Sequence, residues 1–218
     1  MRVVIAGGHG QIALKLERLL AARGDSPVGL VRNPAHGDDL RAAGAEAVVC
    51  DLESISADEL AGHLKDADAV IFAAGAGPNS GTDRKDTVDR AAAVLLADAA
   101  RLAGVRRYLL VSSMGVGRPL AAGSSESWAA YIAAKSAAED AVRDTDLEWT
   151  VLRPGGLIDD APTDRIRLET PGTMRGTITR ADVAAVLVAL LDAPGTAGLT
   201  LELIAGDTPI PDAVAALG

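Results

Sequence analysis

The sequence predicts an α/β fold, a doubly wound, mostly parallel sheet with helices on both faces and a short C-terminal extension. Three observations predict it. Apolar runs of four or five residues, the length of buried strands, alternate with amphipathic stretches of helical period. The first run leads directly into a glycine-rich turn that opens a helix. A hydrophobic content of 49% over 218 residues supplies the core of one domain, 1–218, in which 153–218 form a small portion beyond the last repeat of the pattern.

In chain order, Val3-Val4-Ile5-Ala6 is the first strand, and Gly7-Gly8-His9-Gly10-Gln11-Ile12-Ala13 is the turn and the start of a helix with Leu14, Leu16, Leu19 and Leu20 at helical spacing. Gly7 can take the tight turn out of the strand, Gly10 lets the backbone approach a pyrophosphate closely, and Ala13 is small enough for the helix to pack on its strand. Free N–H groups at the helix start favour an anion there. A glycine turn that only permits close packing has the same spelling. The second strand is 27–31, after which Asn33 caps a helix with Pro34 at its first position. Strand three is 47–50, helix 56–64 follows, strand four is 69–72, and 73–78 are a small-residue loop. A long alanine-rich helix covers 82–102, strand five is 107–111, a helix covers 126–143, and strand six is 149–152. Beyond Arg153 come a loop, a helix over 179–191 opened by Thr179 with Asp182, a strand over 199–204, and a terminal helix.

Composition excludes several functions. A formal net charge of −9 with no arginine run disfavours nucleic acid, and an aromatic content of 2% leaves little for base stacking. The single cysteine, Cys50, forms no internal disulfide, and His9, His36 and His63 lack metal-ligand spacing. The longest apolar stretch, 183–191, is too short for a bilayer, and a strand starting at Arg2 leaves no room for a signal peptide. A reduced, metal-free, cytoplasmic protein with no nucleic-acid or membrane partner is expected.

Strand five ends in Ser112-Ser113, and the next helix carries Tyr131 and Lys135 four residues apart on one face. A phenol of pKa about 10 is a poor acid at neutral pH, but a cation about 6 Å away at an effective dielectric near 20 supplies roughly 2.8 kcal/mol, about two pKa units. So lowered, Tyr131 can exchange a proton with a carbonyl oxygen that Ser113 also hydrogen-bonds. The bland alternative is an exposed Tyr packed on a Lys stem. Trp128 could stack on a planar substrate or anchor a core or interface.

These residues carry a resemblance. Gly7-x-x-Gly10-x-x-Ala13, Cys50-Asp51-Leu52, Tyr108-Leu109-Leu110-Val111-Ser112-Ser113, Tyr131-x-x-x-Lys135, Trp149-Thr150-Val151-Leu152-Arg153-Pro154-Gly155 and Thr179-Arg180-Ala181-Asp182-Val183-Ala184 together resemble the atypical short-chain dehydrogenase/reductase superfamily, in its NAD(P)H-binding, Rossmann-like group related to NmrA-like proteins and biliverdin reductase B. The resemblance implies that Gly7, Gly10 and the backbone near Gln11 and Ile12 hold pyrophosphate. Asp51 and Leu52 would border adenine, and Ala73, Ala74 and Gly75 would pass beneath ribose. Lys135 would reach the nicotinamide ribose, and Pro154, Gly155, Gly156 and Leu157 would contact nicotinamide. The sequence departs from the family where Asp89 stands at the usual asparagine of the catalytic tetrad, which puts the proton-relay water in doubt. The short tail disfavours nucleotide-sugar epimerases and dehydratases, and 153–218 become the substrate-side portion of the single domain.

Cofactor choice is read at the end of strand two, where an NAD protein places a carboxylate and this chain places Arg32. Arg32 can pair a 2′-phosphate, so NADP (NADPH) is expected over NAD, although a strand-end arginine can also be simply solvated. The expected function is an NADPH-dependent reductase or dehydrogenase of a small carbonyl or quinone-like substrate with Ser113, Tyr131 and Lys135 as catalytic residues. The alternative is a non-catalytic NADP(H)-binding sensor of NmrA-like type. Residues 119–128 and 158–177 are expected to border the substrate.

Overall fold

The computed structural model describes residues 1–77, 81–172 and 174–218. A nine-stranded sheet organises the chain. Its parallel part is built from β1 (Arg2–Ala6), β2 (Ser26–Val31), β3 (Glu46–Val49), β4 (Ala69–Phe72), β5 (Arg107–Val111) and β6 (Glu148–Pro154). After β6 come two three-residue strands, β7 (Gly156–Ile158) and β9 (Thr177–Thr179), which pair with each other apart from the main sheet. Strand β8 (Arg165–Glu169) lies between them in sequence, and β10 (Leu199–Ala205) and β11 (Thr208–Pro209) complete the set.

The strand order β11-β8-β10-β6-β5-β4-β1-β2-β3 places the switch of winding between β1 and β4, because the chain runs outward through β2 and β3 and then crosses back. In open parallel sheets ligands bind outside the carboxyl ends of the strands at such a switch. The doubly wound sheet expected from sequence is therefore present, and the extension holds more strands than the one expected. It adds β7, β8, β9 and β11, with β8 antiparallel to β10.

Side chains of each strand alternate between two apolar layers. Val3 and Ile5 of β1 join α1 (Gln11–Ala22) and α7 (Arg180–Leu191) on one face, while Val4 and Ala6 join the other layer with α3 (Ala57–His63), α5 (Ala92–Ala103) and α6 (Glu126–Arg143). In α1, Ala13, Leu16 and Leu20 face the core; Leu19, expected on the same stripe, is 40% exposed. The remaining helices are short: α2 (Gly37–Ala42), α4 (Thr82–Arg84) and α8 (Ile210–Ala215). The long helix expected over 82–102 is interrupted, since α4 passes through a π-wound stretch, Lys85–Ala91, before α5 begins. Pro78, the end of the expected small-residue loop, lies outside the described residues. No helix among the described residues is long and apolar enough to cross a membrane.

Candidate active site

Two adjoining cavities open at the switch and share Ala73, Ala74 and Gly75 after β4. The first, about 390 Å³, lies over the β1–β2 side and is lined by Gly7, Gly10, Arg32, Asp51 and Leu52. The second, about 580 Å³, is lined by Ile12, Ser113, Tyr131, Lys135 and the run Pro154, Gly155, Gly156 and Leu157. The two cavities bring together all but one of the site residues proposed from sequence. Gln11 is the exception: it starts α1 with an exposed side chain and lines neither cavity.

The glycine turn packs closely on the residues after β4 and leaves the start of α1 open. Gly7 holds φ +81°, and a Cβ there would sit 2.6 Å from the Cα of Ala74, so no other residue is accommodated. Helix α1 starts at Gln11 behind Gly10, which lends no side-chain cap, and no acid stands in its first turn. Its free N–H groups and positive dipole end are left for an anion at the first cavity.

Arg32 is not the only charge at that cavity. Its Nη1 lies 2.9 Å from Oε2 of Glu53, which also accepts from Arg84 Nη2 at 2.7 Å, while Oε1 accepts from Thr87 at 2.7 Å. The Thr87 hydrogen bond and the two guanidiniums hold the Glu53 carboxyl below the usual range. A carboxylate thus meets Arg32 at the end of strand two, arriving from the turn after β3, 21 residues later in sequence. Sequence reasoning also missed His9 and His36, whose rings stack 3.6 Å apart at the rim, with His9 Nε2 2.8 Å from Asp39.

In the second cavity, Ser125 caps α6 by accepting from the Trp128 N–H, and Tyr131 and Lys135 follow one turn apart on the cavity side. Lys135 is buried; its Nζ donates to the Val111 carbonyl at 3.1 Å and lies 3.3 Å from Oδ1 of the buried Asp89. The other Asp89 oxygen accepts from the Ala76 N–H at 3.2 Å. Burial pulls the Lys135 ammonium down in pKa, and Asp89 opposes it. Burial, aided by the Asp89 charge, pushes the Tyr131 phenol up to about 12, with a Ser113 hydrogen bond acting the other way. The expectation of a lowered Tyr131 is therefore corrected, because the cation meant to lower it is countered by Asp89 and the ring is desolvated.

Below this site the fully buried Glu139 accepts from Arg153 at 2.9 and 2.6 Å, from Arg143 at 2.5 Å, and from the Ser112 hydroxyl. Ser112 thus braces β5 against α6, and Ser113 is the serine beside Tyr131. Of the two stretches expected to border the substrate, the first contributes Ser125, Ser127 and Trp128. No described residue of 158–177 lines the cavity, and Thr173 lies outside the described residues. That stretch instead anchors a loop, through Arg118, which pairs both oxygens of buried Glu202 at 2.7 Å and donates to the Met174 carbonyl at 2.7 Å. A lysine missed from sequence, Lys85, also lines the cavity. Charged neighbours Asp83, Arg84 and Asp86 gave it the look of a solvated face.

Comparison with known proteins agrees with this geometry. Residues 7–194 match the family model described as NAD(P)H-binding. YhfK of Bacillus subtilis (strain 168), named an uncharacterized sugar epimerase, is 36% identical over 219 residues, spanning 98% of this chain and 99% of its own. A solved structure from Bacillus halodurans, named for the NAD-dependent epimerase/dehydratases, superposes with a TM-score of 0.92 at 34% identity over 99% of both chains. ChuY of Escherichia coli O157:H7, named an anaerobillin reductase, gives 0.78 at 26% identity over 95% of this chain and 98% of its own. With a family-model match over most of its length, this chain belongs to the NAD(P)H-binding family.

Proposed function

We propose that the protein is an NADPH-dependent reductase of a small carbonyl or quinone-like substrate, with Ser113, Tyr131 and Lys135 at the reacting oxygen. The observation that carries this reading is that all three side chains line the same cavity as Pro154 to Leu157, which joins the glycine-turn cavity at 73–75. When bound, the nicotinamide supplies the hydride. Gly7, Gly10 and the start of α1 hold the pyrophosphate, Asp51 and Leu52 border adenine, and Arg32 pairs the 2′-phosphate. Ser113 donates a hydrogen bond to the substrate oxygen, and Tyr131 gives that oxygen its proton. Lys135, 5.9 Å from the centre of the Tyr131 ring, supplies positive charge beside the phenolate left behind.

The raised pKa of Tyr131 makes it a weaker acid and leaves it fully protonated. A phenol titrating at about 12 is protonated at neutral pH, so it serves a reduction as donor. The reverse oxidation needs a phenolate base and should speed up as pH rises.

Tyr131→Phe keeps the ring and removes the acid. With a substrate found by screening carbonyls and quinones, turnover should fall by about 10²- to 10⁴-fold while NADPH still binds. A variant that reduces the substrate as fast as the parent would show that Tyr131 is not the donor. NADPH binding that alters affinity for a partner protein, with no substrate turned over, would favour the sensor reading instead.

A further inference from the structure

We infer that the substrate of this site carries a carboxylate, held by Lys85. The inference rests on the reductase reading of the second cavity and adds a substrate class to it.

Lys85 begins the π-wound stretch, a helical distortion that recurs at functional sites. It is 5% exposed, yet it lines the cavity with its Nζ 2.5 Å from the Gly77 carbonyl and 5.6 Å from the centre of the Tyr131 ring. A buried ammonium is costly unless it is paired with a charge or richly hydrogen-bonded. Among the described residues no carboxylate pairs with Lys85. The acid nearest in sequence that shares the cavity, Asp89, is engaged by Lys135 at 3.3 Å and by the Ala76 N–H at 3.2 Å.

The described lining therefore holds two ammonium groups against one carboxylate, in a protein whose formal net charge is −9. An excess cation that is desolvated, faces the cavity and stands over the proton donor is a seat for an anion brought by the substrate. The charge points to a monoanion. One uncommitted ammonium balances a monoanion, whereas a phosphate monoester, with about −1.5 to −2 charge at neutral pH, would need a second cation that Lys135 is not free to supply. The cavity wall is also aromatic: Trp128, 44% exposed, lies 5.4 Å from Tyr131, centre to centre, and offers a face for a planar body attached to the carboxylate.

The test uses the full chain and two probes of one shape, 2-naphthoate and 2-naphthamide, titrated by calorimetry into protein first titrated with NADPH. The first titration reports on the cofactor reading by itself; if NADPH does not bind, that reading fails and the probes are compared on the free protein by the same criterion. The parent should bind the carboxylate at least about tenfold more tightly than the amide. Lys85→Met should bring that ratio to about one by weakening the carboxylate alone, and Lys85→Arg should preserve it. A parent that binds both probes equally, or neither, overturns the inference, as does a folded Lys85→Met protein that keeps the preference. Should Lys85→Met fail to fold, Lys85→Gln and the parent's own ratio decide by the same criterion.

Discussion

Arg32 reaches the nucleotide cavity already holding a carboxylate, and this changes how strongly it can select a cofactor. Its side chain is 56% exposed, so its ion pair with Glu53 is worth at most about 1 kcal/mol, and a 2′-phosphate with more charge can displace that carboxylate. Glu53 nevertheless stays close by, because Arg84 and Thr87 each hold it at 2.7 Å. The two guanidiniums attract the phosphate and the carboxylate repels it. Arg32→Ala is thus expected to weaken NADPH by about tenfold, the low end for a lost charge-assisted bond, and to leave NADH nearly unchanged. Glu53→Gln removes the opposing charge and should tighten NADPH several-fold. Dissociation constants of both cofactors for both variants check this. A parent that prefers NADH, or a Glu53→Gln change that weakens NADPH, would show that Glu53 positions the arginines or binds ribose and is not a competitor.

Among the elements, the β1–α1 turn and the π-wound stretch show opposite degrees of legibility. Every feature of the turn is local, so sequence could place it: the strand, the glycines and the helix follow one another within 22 residues. Gly10→Val tests it. A Cβ on Gly10 would lie 3.1 Å from the Gly7 carbonyl, and the added methyls would enter the space where a phosphate meets the helix start. NADPH affinity should drop by about 100-fold or more in a protein whose circular dichroism is unchanged. Unaltered affinity would make the turn purely structural. The π-wound stretch, by contrast, has no local signature, since its charges read as a solvated helix face and only packing against α6 turns Lys85 and Asp89 inward. Glu53 and Arg32 share this invisibility, meeting only because β2 and β3 lie side by side. Strand β8 was legible and overlooked: Arg165-Ile166-Arg167-Leu168-Glu169 alternates polar and apolar, and the two apolar residues are buried. Strands β7 and β9, three residues each, are too short to show any period.

At the scale of the whole molecule, the sheet is covered so completely that a charged residue of α1 is sealed inside it. Glu17 is fully buried, its Oε1 lies where a Cβ on Gly8 or Gly29 would come within 3.0 and 2.6 Å, and neither oxygen has a hydrogen-bond partner among the described residues. The absence of side chains at Gly8 and Gly29 makes the room for it. Burial raises the Glu17 pKa from 4.5 to about 8, against a smaller opposing effect of Arg18. The fold therefore binds a proton that the unfolded chain releases. Unfolding releases that proton between about pH 4.5 and 8, so stability from this group is complete below about pH 4.5 and is lost as pH rises toward 8. Glu17→Gln keeps the shape and cannot ionise. Denaturant unfolding should give equal stability for parent and variant near pH 4. The variant should gain progressively as pH rises, by up to the order of 4 kcal/mol near pH 8. A difference that stays constant across this range would mean that Glu17 does not change its charge on folding. A variant that becomes less stable with rising pH would mean that the carboxylate, once ionised, finds a cationic or donor partner inside the fold.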